Sequence, residues 1–506
     1  MTEHATQRTA PYTGEEYLAS LRDGREVWID GERVADVTEH PAFRNAARSI
    51  ARLYDAMHAP DSRDLLTAED RFGIRTHRFF MPSYSPEDLL ASREAIAHWS
   101  RMSYGHMGRT PDYKASFMAT LGADPAWYAP FEESGRHWYR EYADKVLFLN
   151  HVLINPPIDR DKAVHEDEDV YVHVVEERDD GIVVSGAKML ATGSALTHAT
   201  FVAQNSAVRL EAGKAEDYAL VFIAPMDTPG KKLVCRRSYE LAARSPWENP
   251  LSARFDENDA VVIFDDAFIP WQNVLVYRDV EKATGFYASS GFMPRYTLQS
   301  GTRLAIKLDF LCGLLARGLE ANGTASFRGV QAKLGELVGW RNLIWALSAA
   351  LCHEPMPGPG ESVVPKLEYA TLIRMFGTQA VPRARAIFAE ILGGAPRGTP
   401  ASADDLRSDE LRPLLDRFYR GSTGDAHDRI KLFKLIWDAV GTEFGSRHEW
   451  YEINYSGNQE QMRLDMLRFA GIRGIMQGAD ELVEQCLAEY DLDGWTAGPW
   501  LDGRGG

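Results

Sequence analysis

The hydrophobic period changes twice along this chain, and that limits its possible folds more than any other feature. Up to about residue 148 the apolar positions recur at helical spacing. Thr13-Gly-Glu-Glu16 carries a capping-box pattern, Thr13 followed by Glu16. Val27–Val34 reads as a small hairpin turned at Asp30-Gly31. Between about 149 and 280 the period falls to two. Asp169–Val175 alternates, Asp180-Gly181 marks a tight turn, and Ile182–Ser185 resumes the strand. Tyr218–Ala224 and Ala260–Phe264 add further strands, which together suit a compact β-barrel or sandwich. Helical spacing then returns. Leu304, Leu308, Leu311, Leu315 and Leu319 form one apolar face that stops at Asn322-Gly323, and Ile430, Phe433, Trp437 and Val440 repeat the pattern before Gly441. The expected fold is α+β in three parts: a mainly helical domain (1–148), a β-domain (149–280) and a helical bundle (281–506).

Several function classes drop out on bulk grounds. A formal net charge of −17 over 506 residues opposes nonspecific binding to nucleic acid and docking on anionic membranes. No apolar run approaches the ~20 residues that span a bilayer, and the first residues lack the apolar core of a signal peptide. The four cysteines, Cys235, Cys312, Cys352 and Cys486, form no close pair, so they read as buried, inert thiols in a cytoplasmic protein without a metal site.

Three polar residues carry the chemistry. Arg109 and Tyr113 stand in Gly108-Arg-Thr-Pro-Asp-Tyr113, where Pro111 suggests a helix start. His151 follows in the apolar stretch Leu147–Ile154. A cation, a phenol and an imidazole brought together could hold a phenolic substrate and bias it toward phenolate. A free phenol ionises near pH 10, so ionising it unaided at neutrality costs roughly 4 kcal/mol. Arg109 can stabilise the developing charge, Tyr113 can donate a hydrogen bond, and neutral His151 can accept the proton. Which group takes the proton stays open. No GxGxxG follows a strand, so a Rossmann-type nucleotide site has no support and any nicotinamide reductant would act elsewhere.

The order of zones resembles acyl-CoA-dehydrogenase-like flavoproteins. Seven segments resemble one branch of them: Thr13–Val27, Gly108–Tyr113, Gly186–Ser194, Arg254–Asp259, Ile269–Val274, Phe327–Gln331 and His448–Gly457. That branch comprises the oxygenase components of two-component aromatic hydroxylases, typified by 4-hydroxyphenylacetate 3-monooxygenase, and the likeness runs from about residue 11 to about 495. It implies ortho-hydroxylation of a para-substituted phenol (4-hydroxyphenylacetate-, 4-coumarate- or tyrosine-like) to a catechol. FAD would arrive reduced, as FADH2 from a separate NAD(P)H:flavin reductase, with O2 as co-substrate. Assembly through the C-terminal bundle into a homotetramer or dimer of dimers is also implied, as is a substrate that some members take tethered to a carrier protein. The resemblance places substrate contacts at Arg109, Tyr113 and His151, with Ser206 near the substrate tail. For FAD it implies His151, Arg160, Thr192, Ser194, Arg328, Gln331 and the turn Ser456-Gly457-Asn458, with Thr197 a rival to Thr192. The alternatives are a halophenol or nitrophenol monooxygenase of the same family and an acyl-CoA-dehydrogenase-like flavoenzyme. The latter would leave Arg109, Tyr113 and His151 without a task.

Overall fold

The computed structural model describes residues 10–159, 161–166, 170–205 and 208–501. The first zone holds α1 (Gly14–Ser20), the hairpin β1 (Glu26–Ile29) and β2 (Glu32–Arg33), α2 (Arg44–Ala56), α3 (Arg63–Leu66), the hairpin β3 (Thr67–Glu69) and β4 (Arg75–His77), α4 (Pro86–Met102), α5 (Pro111–Ala123) and α6 (Glu132–Lys145). The capping box at Thr13 and Glu16 opens α1, and Asp30 and Gly31 turn the first hairpin with positive φ values of 52° and 81°. α5 starts on Pro111 as expected. Its thirteen residues are all buried, because its apolar side chains surround the axis rather than marking one face.

The central strands are β5 (Leu149–Val152), β6 (His173–Arg178), β7 (Gly181–Lys188), β8 (Ala199–Val202), β9 (Leu220–Pro225), β10 (Lys231–Cys235), β11 (Ala260–Pro270) and β12 (Val274–Tyr277), interrupted by short helices α7 (Tyr239–Ala242) and α8 (Ser252–Phe255). They form two open sheets, ordered β2-β1-β10-β11-β7-β6 and β12-β9-β8-β5. The barrel alternative is therefore not what forms: no strand pairing among the described residues joins the two sheets into a closed cylinder. The strand expected at 169–175 begins later, at His173, after an isolated bridge from Tyr171; Asp169 lies outside the described residues. One pairing crosses the expected boundary at residue 148. β1 runs parallel to β10, with Val27 opposite Leu233, so the N-terminal hairpin edges the central sheet.

The third zone contains α9 (Val280–Ser289), α10 (Phe292–Ala321), α11 (Arg328–His353), the minor strands β13 (Met356–Pro357) and β14 (Val363–Val364), α12 (Leu367–Leu392), α13 (Ala403–Arg407), α14 (Arg412–Phe418), α15 (Ala426–Val440), α16 (Glu443–Asn454), α17 (Gln459–Ile472) and α18 (Ile475–Leu487). The leucine row from Leu304 to Leu319 is buried on α10, which packs against α11, α12 and, from the first zone, α4 and α5. A single apolar core runs through all three zones. No helix among the described residues is long and apolar enough to cross a membrane.

Candidate active site

The start of α5 faces the end of β5. Tyr113 stands on the first turn of α5, while Arg109 precedes the N-cap residue Thr110 and so lies on the approach loop, not on a helical turn. The four-residue spacing still brings the pair together. The Arg109 guanidinium carbon sits 3.6 Å from the centre of the Tyr113 ring and 4.7 Å from that of Tyr455. The loop is pinned by its backbone, since the Arg109 N–H donates to the Glu257 carboxylate. On the facing strand, Leu149 and His151 are two residues apart and share one side, and the His151 ring lies 5.6 Å from that of Tyr113, nearly parallel at 24°. Arg109, Tyr113 and His151 thus meet at one narrow pocket, with Lys114 and Thr192 also in its wall.

The electrostatics of this pocket are one-sided. Arg109 Nη1, Lys114 Nζ and His151 Nδ1 are buried without a hydrogen-bond partner. Burial, then the neighbouring Lys114 and Arg109, holds His151 well below its usual pKa, so the imidazole is neutral. Burial raises the Tyr113 phenol, against the pull of Arg109, so it stays protonated and able to donate. An orphaned buried donor costs on the order of 1–3 kcal/mol, more if charged. Three of them around one space are what a ligand with an oxyanion or hydroxyl would relieve.

Thr192 reaches the pocket by a sharp turn after β7. Leu190 and Gly193 adopt positive φ values of 61° and 72°, and the Gly193 N–H donates to the Asn258 carbonyl. The Thr192 hydroxyl bonds the Asp259 carboxylate and lies 2.8 Å from the Tyr455 hydroxyl. Burial would raise the Asp259 carboxyl, but Arg447, Arg236 and Thr192 together hold it well below the usual range. Ser194 is fully buried with an unpartnered hydroxyl, whereas Thr197 is engaged by the Asn150 amide and the Ser194 carbonyl. Those two bonds occupy the Thr197 hydroxyl, whereas Ser194 stays a rival to Thr192.

Behind Tyr113 lies a second narrow pocket, walled by Tyr296, Tyr451, Tyr455 and Ser456, with Arg303 and Glu452 also in its lining. Its aromatic walls and polar rim suit a flat, hydrogen-bonding ring such as a flavin's. The Ser456 carbonyl accepts from Arg374 Nε at 2.7 Å and from the Tyr296 hydroxyl at 3.3 Å. Gly457, with φ at 98°, turns the chain, and the Asn458 side chain caps α17. That capping occupies the Asn458 oxygen that the resemblance offered to FAD. Arg328 and Gln331 are exposed on the first turn of α11 and do not line either pocket. Arg160 and Ser206 lie outside the described residues.

Sequence reasoning missed Lys114, Asp259, Tyr451 and Tyr455. Lys114 was detectable as a lone lysine inside a segment apolar on every side. The other three stand 150, 342 and 346 residues beyond Arg109, inside two of the segments that carry the resemblance, but no local pattern ties their side chains to this pocket. The expectation of buried thiols also fails at Cys486, which is exposed on α18, a helix with no buried residue.

Two family models match, 4-hydroxyphenylacetate 3-hydroxylase N terminal over residues 13–276 and its C terminal counterpart over 283–484. The chain is 56% identical to the pyoverdin chromophore biosynthetic protein PvcC of Pseudomonas aeruginosa, covering 96% of this chain and 97% of the relative. It is 50% identical to the 4-hydroxyphenylacetate 3-monooxygenase oxygenase component of the same organism, covering 96% and 95%. Among solved structures, the oxygenase component HpaB complexed with FAD and 4-hydroxyphenylacetate superposes with a TM-score of 0.88 at 31% identity, covering 94% of this chain and 99% of that one. This chain therefore belongs to the 4-hydroxyphenylacetate 3-hydroxylase family.

Proposed function

We propose that this chain is the oxygenase component of a two-component monooxygenase that hydroxylates a para-substituted phenol beside its hydroxyl, giving a catechol. The observation that carries this reading is the ring of unpartnered buried donors, Arg109 Nη1 and His151 Nδ1 among them, around a pocket that also holds Tyr113. In this reading the phenol head takes that pocket, its oxygen toward Arg109 and His151. The Arg109 guanidinium stabilises negative charge on that oxygen, which raises electron density at the ortho carbon. Tyr113 donates a hydrogen bond and closes one side of the ring site.

Reduced FAD, when bound, supplies the activated oxygen derived from O2. Thr192 and Ser194, with the Tyr455–Ser456 segment, would hold its ring edge, and the aromatic walls exclude water from the reacting face. We assign Arg328 and Gln331, exposed on α11, to the cofactor's pyrophosphate in a neighbouring subunit, supported by their exposure and by the bidentate fit of a guanidinium to phosphate. A homotetramer is the assembly we favour, supported by the apolar surface of α17 and α18, where Leu464, Leu467, Ile475 and Leu482 are all exposed. A cytoplasmic location suits a partner reductase that delivers the flavin reduced.

The test supplies the full chain with FAD, a flavin reductase, NADH and O2, and scores a panel of para-substituted phenols by product mass. Gain of one oxygen, coupled to O2 use, is expected. Peroxide alone with every phenol would overturn the reading. Arg109→Ala and His151→Ala should each lower catechol formation by about 10²-fold with circular dichroism unchanged. Tyr113→Phe should do so more mildly.

A further inference from the structure

Lys114 has no role in the account so far, yet its ammonium-bearing end lies inside the phenol pocket. Its Nζ sits 4.2 Å from the centre of the Phe117 ring, 4.8 Å from that of Tyr113 and 5.0 Å from that of Phe292. It makes no hydrogen bond, and the side chain is 1% exposed. The charges bearing on Lys114 and His151 are Arg109 and Lys114 itself, none of them a carboxylate. Tyr113 on α5 and Tyr296 on α10 are the remaining titratable groups close to this end of the pocket. Burial, then Arg109, pulls the amine well below its usual pKa, toward the neutral form that can accept a proton.

We propose that Lys114 takes the phenol proton and, as an ammonium beside Arg109, holds the substrate as phenolate. The proposal rests on the phenol reading of this pocket. The substrate O–H bond breaks with its electron pair left on oxygen, and the Nζ lone pair forms the new N–H bond. The total charge of the pocket does not change, and no proton leaves for solvent. His151 competes for the same proton, but an amine is intrinsically the stronger base by about four pKa units. Both bases are depressed by burial and by the same arginine, so the phenolate's negative charge restores the amine first. His151 then acts through a hydrogen bond at Nδ1, orienting the oxygen.

The probe is 4-nitrophenol, whose ionised form absorbs in the visible, titrated into the full chain below the phenol's own pKa. Proton exchange with buffer is followed in parallel by calorimetry in two buffers. The unaltered chain should raise the phenolate fraction about tenfold or more over free probe, with no proton released. Lys114→Met, near in shape and uncharged, should bind the probe with the neutral-phenol spectrum. Lys114→Arg, a cation that accepts no proton, should keep the phenolate colour but release one proton per bound probe. Phenolate colour in Lys114→Met, or proton release by the unaltered chain, overturns the assignment. Binding of neutral phenol by the unaltered chain overturns Lys114 alone. Failure to bind any nitrophenol overturns the phenol pocket and the Lys114 role with it.

Discussion

Arg303 and Lys307, one turn apart on α10, both direct their charges at Glu452 on α16, at 2.7 Å and 2.5 Å, and all three are buried behind the site. Burial would raise the Glu452 carboxyl, but the two cations outweigh it and hold it at about 2. Lys307 is drawn down to about 8, burial prevailing over the carboxylate. Glu452→Gln leaves two buried cations without their anion. It should cost about 3–5 kcal/mol, read as a shift in the urea midpoint. At this scale the sequence was partly legible. Arg109, Tyr113 and His151 could be chosen because each is a reactive type in a short, distinctive segment. Lys114 is next to Tyr113 but was passed over, because a helix lysine ordinarily keeps its charged end in water. Only the burial of every side of α5 removes that exit.

Two elements meet where one lacks a side chain. Gly108, in the loop before α5, faces the Tyr451 ring of α16 so closely that any Cβ would overlap it. That absence lets Tyr451 lie within cation–π reach of Arg109, 5.3 Å from guanidinium carbon to ring centre. Gly108→Ala should therefore push α16 from α5, costing about 1–3 kcal/mol by thermal melting, and catechol formation should fall with it. Element type was readable from period for α10 and α15, from the capping box for α1 and from Asp180-Gly181 for the β6–β7 turn. Element partners were not. The hairpin at Asp30-Gly31 was visible, but its parallel pairing with β10, some 200 residues on, depends on matched burial that no local pattern encodes. The closed-barrel option failed for the same reason: alternation says which face is buried and not whether a sheet closes.

Across the whole molecule, burial sets the response to acid. His77, His106, His151, His198 and His448 are all held below their usual pKa by burial, His77 and His198 to about 3. The unfolded chain protonates these groups below about pH 6.5 while the folded chain resists, so their contribution is complete above that pH and lost as it falls. Asp112 and Glu240, raised by burial to about 6 and about 7, act in the opposite sense. Five groups outweigh two, so stability should fall between about pH 7 and pH 5, by up to ~1.4 kcal/mol per pH unit for each unopposed histidine, read as a lower melting temperature. Assembly should respond to the C-terminal segment. Deleting residues 475–506 removes α18 and its exposed apolar face, and light scattering should then report a smaller particle. An unchanged mass would count against the tetramer. The bond from Thr192 to Tyr455 spans 263 residues of sequence and joins the turn after β7 to α16's end. A ribosome must therefore finish almost the entire chain before the reaction chamber has its last wall. Nascent or prematurely terminated copies would hold Arg109, Tyr113 and His151 but no sealed space around them.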